Sequence, residues 1–193
     1  MNRRRRQLLA ALPALCLVPV GARASTMERP DEELRRVLLE AAGASDSFPD
    51  RFDAEVWLTD MSGRLSRQVP DPSERITILR TAHYESRRAG LEPELVLAVI
   101  DVESNFDRYA VSVAGALGLM QVMPFWLNEI GRPGDNLLHI DTNLRYGCTI
   151  LKFYLDKEKG DLIRALGRYN GSLGKRKYPN KVLDKLTGKW FKA

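Results

Sequence analysis

One glutamate in this chain stands where a carboxyl can be made to hold its proton at neutral pH. Glu103 closes a stretch, Leu95 to Val102, that is apolar at every position except Asp101, and a helix apolar on most sides is a buried one. Burial disfavours the charged carboxylate, and the negative end of the helix dipole at the last turn does the same. An ordinary glutamate, with a pKa of ~4.3, is too acidic to serve as a general acid near pH 7, but one raised in this way can protonate a leaving oxygen. Farther along stand Gln121 and Asn170, each with a donor and an acceptor, and Tyr169, whose hydroxyl can orient a carboxyl. A last-turn glutamate on its own is ordinarily a surface carboxylate, and it is this company that points to chemistry.

Other reactive side chains are placed less well. Asp101 lies two residues before Glu103 and so points to nearly the opposite side of a helix with 3.6 residues per turn, and Asp107 falls in the loop that follows. Cys148 shares helical spacing with Leu144, Leu151 and Leu155, which makes it a buried small hydrophobe and not a nucleophile. His83 and His139 stand apart from each other and from Cys148, and no glycine-rich loop follows a strand. The chain is therefore expected to use no metal, nucleotide or flavin.

Helices must position these residues. Leu34, Val37, Leu38 and Ala41 follow a helical period from Pro30 to Ala42, stopped by Gly43, and a second helix is expected from Phe52 to about Val69. Asp71-Pro72-Ser73-Glu74 combines a capping residue, a first-turn proline and a returning glutamate. The helix that it opens should reach Arg88 and stop at Gly90. Pro93 starts the apolar helix of Glu103. Ser112 to Gly118 is a small-residue turn that lets a ligand approach the backbone. Met120 to Ile130 is expected to be helical on either side of Pro124, residues 131–139 to form a loop, and Asn143 to Lys157 an amphipathic helix. A last helix runs to Tyr169 with Asp161 as its cap. With no sustained strand alternation and no repeat, the fold class is mainly α.

The N-terminus reads as a secretory signal: Arg3 to Arg6, an apolar run of thirteen residues from Leu8 to Val20, then Ala22-Arg23-Ala24 as a cleavage site. The run is well short of the ~20 residues that span a bilayer, so cleavage after Ala24 and a periplasmic or otherwise exported product are expected. Cys16 lacks the neighbours of a lipid-attachment site. Residues 1–24 carry five arginines and no acid, so their removal takes the formal charge from +5 to zero. A general basic footprint for nucleic acid is thereby excluded. Local basicity remains in Lys175, Arg176, Lys177, Lys181, Lys185, Lys189 and Lys192, with only Asp184 against them, which reads as a solvated C-terminal tail. The mature 169 residues suffice for one domain with a short appendage.

The order and spacing of several short words then decide the matter: Glu103-Ser104-Asn105-Phe106, Ala110-Val111-Ser112, Gly115-Ala116, Gly118-Leu119-Met120-Gln121-Val122-Met123-Pro124, Asn143, Gly147 and Tyr169-Asn170-Gly171. In these the chain resembles the lytic transglycosylases with the soluble-transglycosylase, goose-type lysozyme-like catalytic domain, enzymes that cut the glycan strands of peptidoglycan. The resemblance implies a helical, lysozyme-like catalytic domain over residues 76–175, preceded by a helical N-terminal extension, 25–75, and followed by a basic tail, 176–193. It implies that Glu103 acts first as acid and then as base, with no cofactor, while the muramoyl 6-hydroxyl closes a 1,6-anhydro ring. Ser112, Gln121, Met123 and Tyr169 would line the sugar cleft, with Tyr169 and Asn170 close to the carboxyl, and Met120 would pack in the core.

Three positions depart from the family pattern. Phe125-Trp126 replace the threonine usual after Met123-Pro124, Gly167-Arg168 replace alanines, and His139-Ile140 replace an Asp-Pro pair. They alter the shape of the subsites and spare Glu103. The implied partners are peptidoglycan strands and a cell-envelope or secretion assembly, with the protein itself a monomer. The alternatives are a muramidase that uses water, and a wall-binding or secretion-assembly protein without turnover.

Overall fold

The computed structural model describes residues 47–191. The expected signal segment, its cleavage site and the helix from Pro30 to Ala42 lie outside the described residues. Seven α-helices follow: α1 (Arg51–Leu65), α2 (Pro72–Ala89), α3 (Pro93–Glu103), α4 (Trp126–Ile130), α5 (Ile140–Lys157), α6 (Leu162–Tyr169) and α7 (Lys177–Lys185), the last running into a π-helical turn, Leu186–Trp190. Among the described residues the only β-pairing is two isolated bridges, Val111 to Leu117 and Leu117 to Val122, so the fold is mainly α.

The helix starts obey local chemistry. Asp71 caps α2 by accepting from the Ser73 N–H, with Pro72 in the first turn, and Gly90 ends it in the left-handed conformation at φ 70°. Asp161 caps α6 through the Arg164 N–H. α3 is the centre of the molecule: Leu95 to Ile100 are all buried, five of the six completely. It packs against α2, α7 and the π-turn, while α5 packs against α2 and α6. α1 contributes Leu58 and Leu65 to the same core, so these residues of the expected N-terminal extension are integral to the domain.

Two expectations fail. Residues 120–125 are not helical: Gly118 (φ 73°) and Gln121 (φ 50°) both take left-handed backbone, and only Trp126–Ile130 continues as helix. Leu119, Met120 and Val122 are buried all the same, by a folded turn instead of a helix face.

The second correction concerns the C-terminal basic segment, which is no solvated tail. Val182 is fully buried, Trp190 is 1% exposed, and the charge that balances Lys185 and Lys189 is Asp101. Its Oδ1 accepts from Lys185 Nζ at 2.8 Å and Gln68 Nε2 at 3.3 Å, and its Oδ2 accepts from Lys189 Nζ and Trp190 Nε1, both at 3.1 Å. Asp101 thus points away from the Glu103 side, as helical spacing requires, and fastens the chain's last turns to α3.

Burial pushes the Asp101 carboxyl up, but the hydrogen bonds and charges of Lys185 and Lys189 overcome this and hold it below the ordinary carboxylate range. A depressed folded-state pKa gives stability above the unfolded value that is lost as the pH falls through the folded one. Asp101→Asn is therefore expected to cost about 1–2 kcal/mol at neutral pH, modest because the partly exposed lysines are screened by water. In urea denaturation the gap to the parent should close as the pH falls below the ordinary carboxylate range. A gap independent of pH would show that the charge is not what fastens the turn.

Candidate active site

Glu103 is the last residue of α3 and Ser104 its cap. The chain then turns sharply through two non-glycine left-handed residues, Asn105 (φ 53°) and Phe106 (φ 67°). Such backbone costs free energy and is held from both sides. Ser104 Oγ accepts from the Phe106 N–H at 3.1 Å, and the buried Phe106 ring packs against Trp190 with centroids 5.3 Å apart.

The Glu103 carboxyl faces a cavity of about 340 Å³, whose lining includes Asn170, Ser172 and Tyr178. Burial drives its pKa up and a hydrogen bond from Tyr178 pulls it back; the balance lies at about 7. Tyr178 Oη donates to Glu103 Oε1 at 2.6 Å. Near neutrality the carboxyl therefore lies close to the midpoint of its titration, where a group is able to act either as an acid or as a base.

The glycine-rich words build a folded turn whose Met120 carbonyl receives the Tyr169 hydroxyl. Gly118 N–H donates to Ala110 O, Leu117 and Val122 exchange two backbone hydrogen bonds, and Ser112 closes a turn with Ala116 through backbone and Oγ. Asn143 clamps this turn to α5. Its Oδ1 accepts from the Met120 N–H at 2.8 Å, and its Nδ2 donates to Leu117 O at 2.8 Å and Leu137 O at 2.7 Å. A Cβ on Gly118 would collide with that amide and lie 2.6 Å from Leu137 O, and one on Gly147 would overlap the Met120 side chain. These glycines are there because other groups fill the space.

The expected site residues separate into those near the carboxyl and those in this turn. Asn170 lines the cavity with Glu103. Tyr169 is close enough for Glu103 to help burial raise its phenol pKa, but its hydroxyl donates to Met120 O at 2.8 Å, so it braces the turn instead of orienting the carboxyl. Gln121 spends both hydrogens of its amide nitrogen on Ala110 O and Gly118 O. Ser112, Gln121 and the half-buried Met123 are not among the residues lining the cavity around Glu103. Met120 packs in the core and Cys148 is fully buried, its thiol held protonated by desolvation. Among the described residues no group of His, Cys, Asp and Glu could hold a metal ion.

Sequence reasoning missed Tyr178, Ser172 and the lysines 175, 177 and 181, which also line the cavity. A signal for the helix that carries Tyr178 was present: Tyr178, Val182, Leu186 and Trp190 recur every fourth residue, a buried stripe written through a run of lysines.

Residues 80–190 match the family model of the transglycosylase SLT domain, and the chain belongs to that family. Among curated relatives it is 34% identical over 105 residues to the membrane-bound lytic murein transglycosylase C of Salmonella typhimurium, covering 46% of this chain and 29% of that one. It is 56% identical over 39 residues to the protein of that name from Actinobacillus pleuropneumoniae serotype 5b, covering 20% and 11%. The chain thus spans less than a third of the length of these relatives. Among solved structures it is similar to an inactive mutant of the lytic transglycosylase Slt from Pseudomonas aeruginosa, with TM-score 0.46, 20% identity and coverage of 79% of this chain and 33% of that one. The corresponding values for the 70 kDa soluble lytic transglycosylase of Escherichia coli are 0.42, 18%, 79% and 29%.

Proposed function

We propose that the protein is an exported peptidoglycan lytic transglycosylase that cleaves the β-1,4 bond between N-acetylmuramic acid and N-acetylglucosamine. The observation that carries this reading is a single desolvated carboxyl, balanced near neutrality, in a cavity with no second carboxylate among its lining residues. Retaining and inverting hydrolases ordinarily place two carboxyls across the bond. A lone acid suits a reaction whose nucleophile is supplied by the substrate. Glu103 gives its proton to the glycosidic oxygen as the bond to C1 breaks. The resulting carboxylate takes the proton of the muramoyl 6-hydroxyl, whose oxygen bonds to C1 and closes the 1,6-anhydro ring. Holding that hydroxyl next to C1 supplies the high effective concentration of an intramolecular attack. Asn170 offers an amide to the acetamido groups, and Tyr178 keeps the carboxyl aimed between its two tasks.

Mass spectrometry of the products from purified sacculi tests this. Anhydro ends are lighter by one water than reducing ends. Products with reducing muramic acid ends alone would replace the transglycosylase with a muramidase.

The pH profile carries a second test. Delivery of the proton needs protonated Glu103, so kcat/KM should fall as the pH rises through about 7. The Tyr178 hydrogen bond favours the carboxylate, so Tyr178→Phe should move this alkaline limb to higher pH while lowering the rate at its optimum. An unmoved limb would mean that another group sets it.

A further inference from the structure

The lysines of the C-terminal segment form two sets. Lys185 and Lys189 are committed to Asp101. Lys175, Lys177 and Lys181 instead line the cavity beside Glu103; all three are exposed, and none is ion-paired with a described residue. The sequence from Leu173 to Lys181 contains no acid to neutralise them. Ser172 lines the same cavity, and its Oγ is out of solvent with no hydrogen-bond partner among the described residues, an uncommon state that a bound group could relieve.

Three exposed ammonium groups lining a cavity whose only carboxyl is Glu103 make that side of the cavity electropositive and favour an anionic ligand. Bare glycan offers only the single lactyl carboxylate of each muramic acid, whereas a peptide stem attached to that group replaces it with several carboxylates. We propose that Lys175, Lys177 and Lys181 form a stem-recognition rim, which makes the cleft select glycan strands bearing carboxylate-rich peptides over bare glycan. This rests on the glycan-cleaving reading above. Exposed charge pairs are individually weak and screened by salt, so the three together should amount to about a tenfold preference at low ionic strength.

The test compares three substrates: strands with native stems, the same strands stripped by an amidase, and strands whose stem carboxylates have been chemically amidated. KM is measured for the parent and for the Lys175→Gln, Lys177→Gln, Lys181→Gln triple variant, and Glu103→Gln protein is sedimented with each substrate to report binding without turnover. The parent should favour native stems about tenfold over both others, less so in high salt, and the triple variant should lose most of that ratio. Equal use of native and bare strands overturns the proposal, as does equal use of native and amidated stems or a triple variant that keeps the ratio. If the parent cleaves nothing while Glu103→Gln protein still prefers native stems, the glycan-cleaving reading falls and the recognition rim stands.

Discussion

Replacing Glu103 by glutamine is expected to lower turnover of peptidoglycan by about 10³-fold or more with little change in glycan binding, the scale on which a positioned general acid acts. The amide keeps the size of the carboxyl and can still accept the Tyr178 hydroxyl, but it can neither give nor take the proton. A loss confined to kcat is the signature, read on protein shown to be folded by circular dichroism and still pulled down by sacculi. The same substitution should have an opposite effect on stability. The folded-state pKa of Glu103 is raised from 4.5 to about 7, so its favourable contribution is complete below the unfolded value and disappears as the pH rises through 7. Above that pH the parent carries a desolvated charge that the variant lacks, and the variant should melt at a higher temperature than the parent at pH 8. A folded Glu103→Gln protein that released muropeptides at the parental rate would remove the general acid from this account.

Asn143→Ala is expected to be the most damaging single change to the scaffold, at about 3–5 kcal/mol. Its side chain is 1% exposed and serves one backbone donor and two backbone acceptors; the alanine would leave the Met120 N–H and Leu137 O without this partner and Leu117 O with the Val122 N–H alone. Asn143→Asp should be nearly as harmful, because it turns the two donated hydrogen bonds into oxygens facing carbonyl oxygens. Urea denaturation measures the loss. A cost below about 1 kcal/mol would mean that water takes over the clamp. Activity should fall in parallel, since the turn that Asn143 holds also carries the carbonyl that receives Tyr169.

The helical frame and the place of Glu103 at the end of a buried apolar helix were legible because each depends on local pattern. The Asp71 and Asp161 caps, the Gly90 stop and the apolar run before Glu103, interrupted only by Asp101, are short-range signals, and each has its counterpart in the structure. The turn at 118–122 was misjudged because closely spaced apolar residues look like a helix face whether a helix or a folded turn buries them; the left-handed backbone at Gln121 leaves no mark in composition. Which tyrosine meets Glu103 was beyond reach for a different reason. Tyr169 and Tyr178 both follow in sequence, and only the packing of α7 on α3, fastened by Asp101 to lysines far from it in sequence, sends one to the carboxyl and the other to Met120 O.

That fastening also sets an order of events. A chain that emerges from a ribosome or a translocation channel N-terminus first presents α3 well before Tyr178, 75 residues beyond Glu103, and before Trp190, 89 residues beyond Asp101. Until those residues arrive, Glu103 lacks its phenol partner, Asp101 lacks its two lysines, and the turn at Phe106 lacks the indole that packs on it. The carboxyl at the heart of the cleft is among the earlier groups to be made and among the last to be completed, so a nascent or truncated chain carries the acid without the surroundings that tune it.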